Sequence, residues 1–420
     1  MVGPLNLVGW LGRQDATTPA LEVVGPANGR QPPTRRGLRR DIQGLRAVAV
    51  LAVIGNHMVA SPIGGFVGVD VFFVISGFLI TDLMLREKSR RGRVSYLNFY
   101  RRRFRRIIPA STLVLAATVL ASYWIYRPVR ADIIRTDALW SFAFLSNWHF
   151  AAVGTDYFNN ENLVSPLQHF WSLAVEEQFY LVWPVVVIGL GLLLGARWYR
   201  SALITVLAST VLASFAFAEW ESSTESTRAY FSTFSRAWEL GIGAGLALTA
   251  GCWARLPPRW QPVLSWCGLA GILSSVAFVS SRLTFPAPWA LAPTLSTALV
   301  IAAGCNYSDR FLFPLTNRVT QYIGNISYSL YLWHFPVIIL GSAYLTQAGP
   351  SRIVALGLGT VVFSVLSFHF VEDPIRRSNW LERKKSATAR FRYRNCFPPE
   401  MMKRLGAVAW LRWRSPSPFW

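Results

Sequence analysis

Charge is what this chain has least of. Only 15% of its 420 residues are Asp, Glu, Lys or Arg, where ordinary soluble domains carry about 25%. With 52% hydrophobic residues and a mean hydropathy of +0.32, an ordinary soluble fold is excluded. Cysteine is nearly as scarce. Cys252, Cys267, Cys305 and Cys396 show no CxxC or metal-ligand spacing, which argues against a disulfide framework or a structural zinc. The sequence holds no Rossmann glycine fingerprint and no P-loop, so the chemistries those motifs serve have no footing here.

What the chain has instead is apolar runs close to the ~18–20 residues that cross a bilayer. They fall at 43–61, 67–85, 107–126, 173–194, 201–218, 234–250, 263–281, 289–305, 324–344 and 353–371. The fold class read from them is all-α, a polytopic membrane helix bundle of about ten transmembrane spans. The first run begins well inside the chain, contains Arg46 and His57 and is not followed by a convincing Ala-x-Ala cleavage site, so it reads as a retained span and not a signal peptide. An eleventh stretch, 137–153, is short and carries Asp137, Asn147 and His149. It is expected to be re-entrant or to lie at the outer interface.

A net charge of +21 suggests nucleic acid until it is mapped. Residues 1–40 hold six Arg against Asp15 and Glu22, residues 86–106 hold ten Lys/Arg against Glu87, and residues 372–420 hold twelve against four acids. Those segments account for the whole excess. The pattern fits the positive-inside rule and not a phosphate-binding face for DNA. With 137–153 not crossing, the basic loops and both termini fall in the cytoplasm, and Glu219, Glu221 and Glu225 fall outside. The expected organisation is a disordered basic cytoplasmic tail at 1–38, a membrane domain at 39–378 and a second basic cytoplasmic tail at 379–420.

Several ionisable groups lie within the apolar runs, where they mark function by default. Arg46 and His57 are eleven residues apart. That is three turns plus about 20°, so both share one helix face, about 16 Å apart along the axis. Arg46 also reads as a side chain snorkelling to headgroups. His57 titrates near neutrality and can take a proton or carry an acyl group. Asp41 can orient Arg46 or cap the helix. Arg102, Arg103 and Arg106 stand at i, i+1 and i+4; guanidinium forks suit a multiply charged phosphate, and the same residues serve as a topology signal. Pro109 is placed just inside the start of the third span. Asp70, Ser76 and Gly77 share the second run, where small residues permit close helix packing or leave room for a ligand's narrow chain. Glu176 and Glu177 are adjacent and point about 100° apart, so one is expected to face the interior, where a glutamate near His57 would orient its ring. His334 reads first as a satisfied core histidine, with Pro336 kinking its helix and freeing a carbonyl.

In order, these blocks resemble the acyltransferase-3 family, the integral-membrane O-acyltransferases of bacterial envelope glycans. The resemblance covers about residues 39–378. It is carried by DIQGLRAVAVL with His57 following, GGFVGVDVFFVISGFLIT, RRFRRIIP, HFWSLAVEEQFYLVWP, SRAWELGIGAGLAL, ISYSLYLWHFP and VEDPIRR. By resemblance, Arg46 and His57 match an Arg-x10-His pair held essential for acyl transfer. Arg102, Arg103 and Arg106 match an RRxxR block associated with acyl-CoA phosphates, and Glu176 belongs to a WSLxVEE block of functional importance. The chain departs at Asn56, where Tyr is common. After Asp373 only 47 residues follow, with no GDS-type serine motif, so a single-domain member without an SGNH domain is expected.

The resemblance implies transfer of an acyl group, acetyl in the first instance, from acyl-CoA to a hydroxyl of an envelope polysaccharide or lipid-linked glycan. Acyl-CoA is then a donor substrate, not a permanently bound cofactor, and no metal is called for because the thioester supplies the driving force. The expected location is the bacterial cytoplasmic membrane. Expected partners are acyl-CoA, the glycan acceptor, the bilayer and a separate extracytoplasmic transferase, with no nucleic acid among them. The competing classes are a multi-pass transporter and a non-catalytic membrane scaffold. Against the transporter, the sequence shows no inverted repeat and no pair of corresponding broken helices.

Overall fold

The computed structural model describes residues 39–92, 94–154, 164–306, 312–378 and 380–381. The tail read at 1–38, and that read at 379–420 apart from residues 380 and 381, lie outside the described residues. Among the described residues all regular structure is helical. In chain order the helices are α1 Arg40–Val59, α2 Gly68–Arg91, α3 Tyr96–Ile125, α4 Pro128–Phe142, α5 Ser146–Val153, α6 Phe170–Leu193, α7 Ala196–Thr224 and α8 Ser226–Phe231. They continue as α9 Thr233–Trp253, α10 Trp260–Phe278, α11 Leu291–Ala303, α12 Phe313–Thr316, α13 Arg318–Tyr344, α14 Pro350–Ser367 and α15 Asp373–Arg377. A π-helical turn, Phe368–Glu372, joins the last two.

Eight helical runs among the described residues are long and apolar enough to cross a membrane: α1, α2, α3, α6, α7, α10, α13 and the continuous α14–α15. The other two expected spans correspond to α9, which buries Arg236 and Glu239, and to the 13-residue α11. The protein is a polytopic helical bundle. The stretch 137–153 does not form one helix. α4 stops at Phe142, Phe144 takes a φ of 54°, and α5 resumes for only 8 residues, so neither piece has the length of a span. The boundary that differs most from the sequence reading is the start of the third span. α3 begins at Tyr96, with the Ser95 hydroxyl accepting from the Asn98 N–H. Pro109 therefore lies well inside the helix. Arginine is a good helix former, so the basic run 101–106 carries on from the apolar run as the same helix.

Across their apolar windows α2 and α13 are each 72% buried, against 22% for α7 and 28% for the α14–α15 run. The first pair forms the centre, and the others turn apolar faces toward lipid. α2 packs on α9, and α1 on α13. Two glycines permit the α2–α9 contact. A Cβ on Gly77 would collide with the Leu240 backbone, and one on Gly243 with the Val74 carbonyl. Close packing therefore accounts for Gly77, and it leaves no room there for a ligand chain. The same two helices are tied by charge. Arg236 donates to Asp70 at 2.7 Å and to Glu239 at 2.8 Å. All three are buried, and the rings of Trp171, Tyr230 and Phe285 surround the guanidinium. Asp70 and the SRAWELG block thus hold the bundle together.

Candidate active site

Arg39, Arg91 and Arg101 mark one end of the bundle, and His57, in the last turn of α1, lies toward the other. Near the basic end a cavity opens among α1, α2, α3, α6 and α13. It holds a narrow accessible volume of about 80 Å³. Val69, Phe72, Ile75 and Leu79 of α2 form an apolar wall. Facing it are the guanidiniums of Arg46, Arg103 and Arg106 and the carboxylates of Glu176 and Glu177. Arg103 and Arg106 are three residues apart and share a helix face. Arg103 lies 3.8 Å over the Tyr180 ring. Among the described residues, none of the three arginines forms an ion pair within 4 Å.

Arg102 is not in this cavity. It donates to Glu87 at 2.8 Å, and Arg91 pairs with the same carboxylate. The single 100° step between Arg102 and Arg103 turns it out of the cavity and toward the end of α2. Asp41 does not orient Arg46 either. Five residues is about 140° of helix rotation, and Asp41 instead accepts from Arg39 Nε at 2.9 Å. Arg39 also donates to the Ile301 carbonyl at 2.8 Å, tying the start of α1 to α11.

Both glutamates face the cavity, where the spacing pointed to one. α6 borders two walls at this depth. Glu176 turns toward α2, lining the cavity with Ser76 and accepting from the Tyr180 hydroxyl at 3.2 Å. Glu177 turns toward α3, where it also lines an outer groove with Tyr100 and Phe104. Glu176 therefore does not meet His57. It lies about 10 Å further along α6 than His169 does, on a 1.5 Å rise per residue.

What faces His57 is a second histidine. Its Nδ1 lies 3.0 Å from His334 Nε2. The ring planes are 11° apart and the centroids 5.2 Å apart. The rings thus meet edge to edge in nearly one plane. His334 is fully buried, and its Nδ1 lies 2.6 Å from the Tyr331 carbonyl. His169 completes the group, donating Nε2–H to the Leu332 carbonyl at 3.1 Å. That carbonyl is the one Pro336 frees, because the proline lacks the N–H that would bond it within the helix.

Tyr331 joins the two regions. It lines the cavity, and its ring centroid is 5.3 Å from that of His334 and 5.6 Å from that of His169. Its hydroxyl donates to the His169 carbonyl at 3.1 Å and lies 2.7 Å from the Ser172 hydroxyl. The sequence reading singled out neither Tyr328 nor Tyr331. A signal for them existed. Tyr328, Tyr331 and His334 recur every third residue, and Ser172, Glu176 and Tyr180 every fourth, each set forming one helical stripe. Chemically, the arrangement gathers three guanidiniums and two carboxylates in a cavity at the basic end, with a group of imidazoles beyond its aromatic wall.

Residues 39–369 match a family described as an acyltransferase domain. Similar proteins include the peptidoglycan O-acetyltransferase OatA of Listeria monocytogenes, 35% identical over 360 residues that cover 81% of this chain and 56% of that protein. The putative peptidoglycan O-acetyltransferase YrhL of Bacillus subtilis is 34% identical over 353 residues, covering 80% and 54%. An O-acetyltransferase OatA of Staphylococcus aureus is 33% identical over 366 residues, covering 83% and 60%. The chain spans a little over half the length of these relatives. No solved structure matches it.

Proposed function

The chain belongs to the acyltransferase-3 family, and on that premise we propose that it transfers an acyl group, acetyl in the first place, to a hydroxyl of an envelope glycan or its lipid-linked precursor. One observation carries the reading. Three guanidiniums, Arg46, Arg103 and Arg106, converge on a cavity in which none has a carboxylate within ion-pair distance among the described residues. Such a site favours a ligand with several negative oxygens. The phosphates of a CoA thioester meet that requirement, with Arg103 and Arg106 holding them and Arg46 lying deeper. Glu176 and Glu177 then balance part of the guanidinium charge while the site is empty. The names of the relatives support a glycan acceptor, and family membership favours a transferase over a transporter or scaffold.

In this reading the thiol arm of the donor runs along α1 past Tyr331 toward His57. His57 takes the proton of the acceptor hydroxyl. The oxygen attacks the thioester carbonyl, a C–O bond forms, the C–S bond breaks, and the thiolate leaves with that proton. Transient carriage of the acyl group by His57 is a variant of the same chemistry, and acid-quench trapping of an acyl-enzyme separates the two. The charge distribution supports a cytoplasmic position for the basic end, with the bundle lying in the bacterial cytoplasmic membrane. Mass spectrometry of envelope polysaccharides from a deletion strain tests the function. Loss of an ester-linked acyl group that the wild-type gene restores is the expected result. Unchanged acylation would contradict the reading.

A further inference from the structure

The hydrogen bonds around His334 define where the protons sit on two rings. The Tyr331 carbonyl only accepts, so His334 Nδ1, 2.6 Å away, carries a hydrogen. The neutral ring then presents Nε2 as an acceptor. His57 Nδ1 lies 3.0 Å from that nitrogen, and the near-coplanar rings, 11° apart, aim one nitrogen at the other. His57 Nδ1 must therefore carry the donated hydrogen, which leaves the lone pair of neutral His57 on Nε2. The ring is also held from its face. Phe335 meets it edge-on, with centroids 4.8 Å apart.

The geometry points to His334 as the positioning residue that fixes the tautomer of His57 and so makes Nε2 its basic nitrogen. The inference rests on the acyl-transfer reading above. There, a proton leaving the acceptor hydroxyl arrives on Nε2, and the bond from Nδ1–H to His334 becomes charge-assisted at that moment. His334 stabilises the imidazolium without touching substrate. The helix itself supplies the third member of the chain, since Tyr331 is the residue one turn before His334. Among the described residues, the other titratable groups facing the pair are His169, at the start of α6, and the Tyr331 phenol. Both are committed to hydrogen bonds of their own, His169 Nε2–H to Leu332 and the phenol to the His169 carbonyl.

The test uses the full chain in nanodiscs with ¹⁵N-labelled histidine. The five histidines are assigned by single replacement. In the wild type, His57 should show a protonated Nδ1 and a lone-pair Nε2. In His334→Leu that preference should be lost. With acetyl-CoA as donor, His334→Leu should lower kcat by about 100-fold or more, the scale of general acid–base catalysis, with the donor KM within about 3-fold. His334→Gln places a carbonyl oxygen within reach of the His57 donor and should recover part of the rate, a rescue that simple packing damage would not give. A wild-type spectrum with the His57 proton on Nε2 overturns the proposal even in an active enzyme. Equal activity of wild type and His334→Leu overturns it too. A wild type that transfers no acyl group removes the function proposed above, and the nitrogen shifts still report the tautomer independently.

Discussion

The division of the three predicted arginines gives a sharp mutational contrast. Arg103 and Arg106 line the cavity, whereas Arg102 is 39% exposed and paired with Glu87. If phosphates bind in the cavity, Arg103→Gln with Arg106→Gln removes two charge-assisted contacts, each worth about 1.5–3 kcal/mol. The sum, about 3–6 kcal/mol, corresponds to a loss of roughly 10² to 10⁴ in affinity at 1.4 kcal/mol per decade. Arg102→Gln breaks a partly exposed ion pair worth about 0–1 kcal/mol, and donor affinity should stay within about 5-fold. Isothermal titration of the purified variants with a non-hydrolysable CoA thioester measures both, with monodispersity on gel filtration as the control for folding. Wild-type affinity in a folded double variant would leave these arginines as topology signals. A loss in Arg102→Gln equal to that of the double variant would show that the cavity is not where phosphate binds.

Three further outcomes follow from the fold. Reporter fusions after residues 95 and 385 should both read as cytoplasmic, because the adjoining segments hold most of the excess positive charge; an extracytoplasmic signal at 385 alone would mean that 137–153 crosses. Arg236→Leu strands Asp70 and Glu239 in a buried site and should cost about 3–5 kcal/mol, seen as a large drop in thermal stability in detergent; an unchanged melting temperature would show that the triad does not tie α2 to α9. Gly77→Ala drives a methyl group into the Leu240 backbone and should destabilise by about 1–3 kcal/mol, whereas a variant of normal stability but weakened donor binding would return Gly77 to a ligand-accommodating role.

The helices were legible because a bilayer demands long apolar runs, and α1 shows how far that carries. Its span and the shared face of Arg46 and His57 follow from rotation per residue alone. Other features depended on one helical step or on depth. Arg102 and Arg103 differ by 100°, and that step decides between cavity and ion pair. The 100° step between Glu176 and Glu177 pointed to one interior carboxylate where both line the cavity, and the depth of Glu176 along α6 places it beside Ser76 and not beside His57. The start of α3 was hidden because arginines continue a helix as readily as leucines do. The pairing of His57 with His334 spans 277 positions, and no periodicity within one segment reports such a contact. The carbonyl freed by Pro336 was predictable; that His169 would use it was not.

The central claim is that this bundle transfers an acyl group with His57 as its proton acceptor, beyond a cavity that holds the donor. The most direct measurement is transfer of labelled acetyl from acetyl-CoA to a glycan acceptor by purified protein in nanodiscs, wild type beside His57→Ala. The account predicts O-acetyl product from the wild type and none above background from His57→Ala, with CoA affinity unchanged between them. Wild-type rates in a folded His57→Ala protein would contradict it.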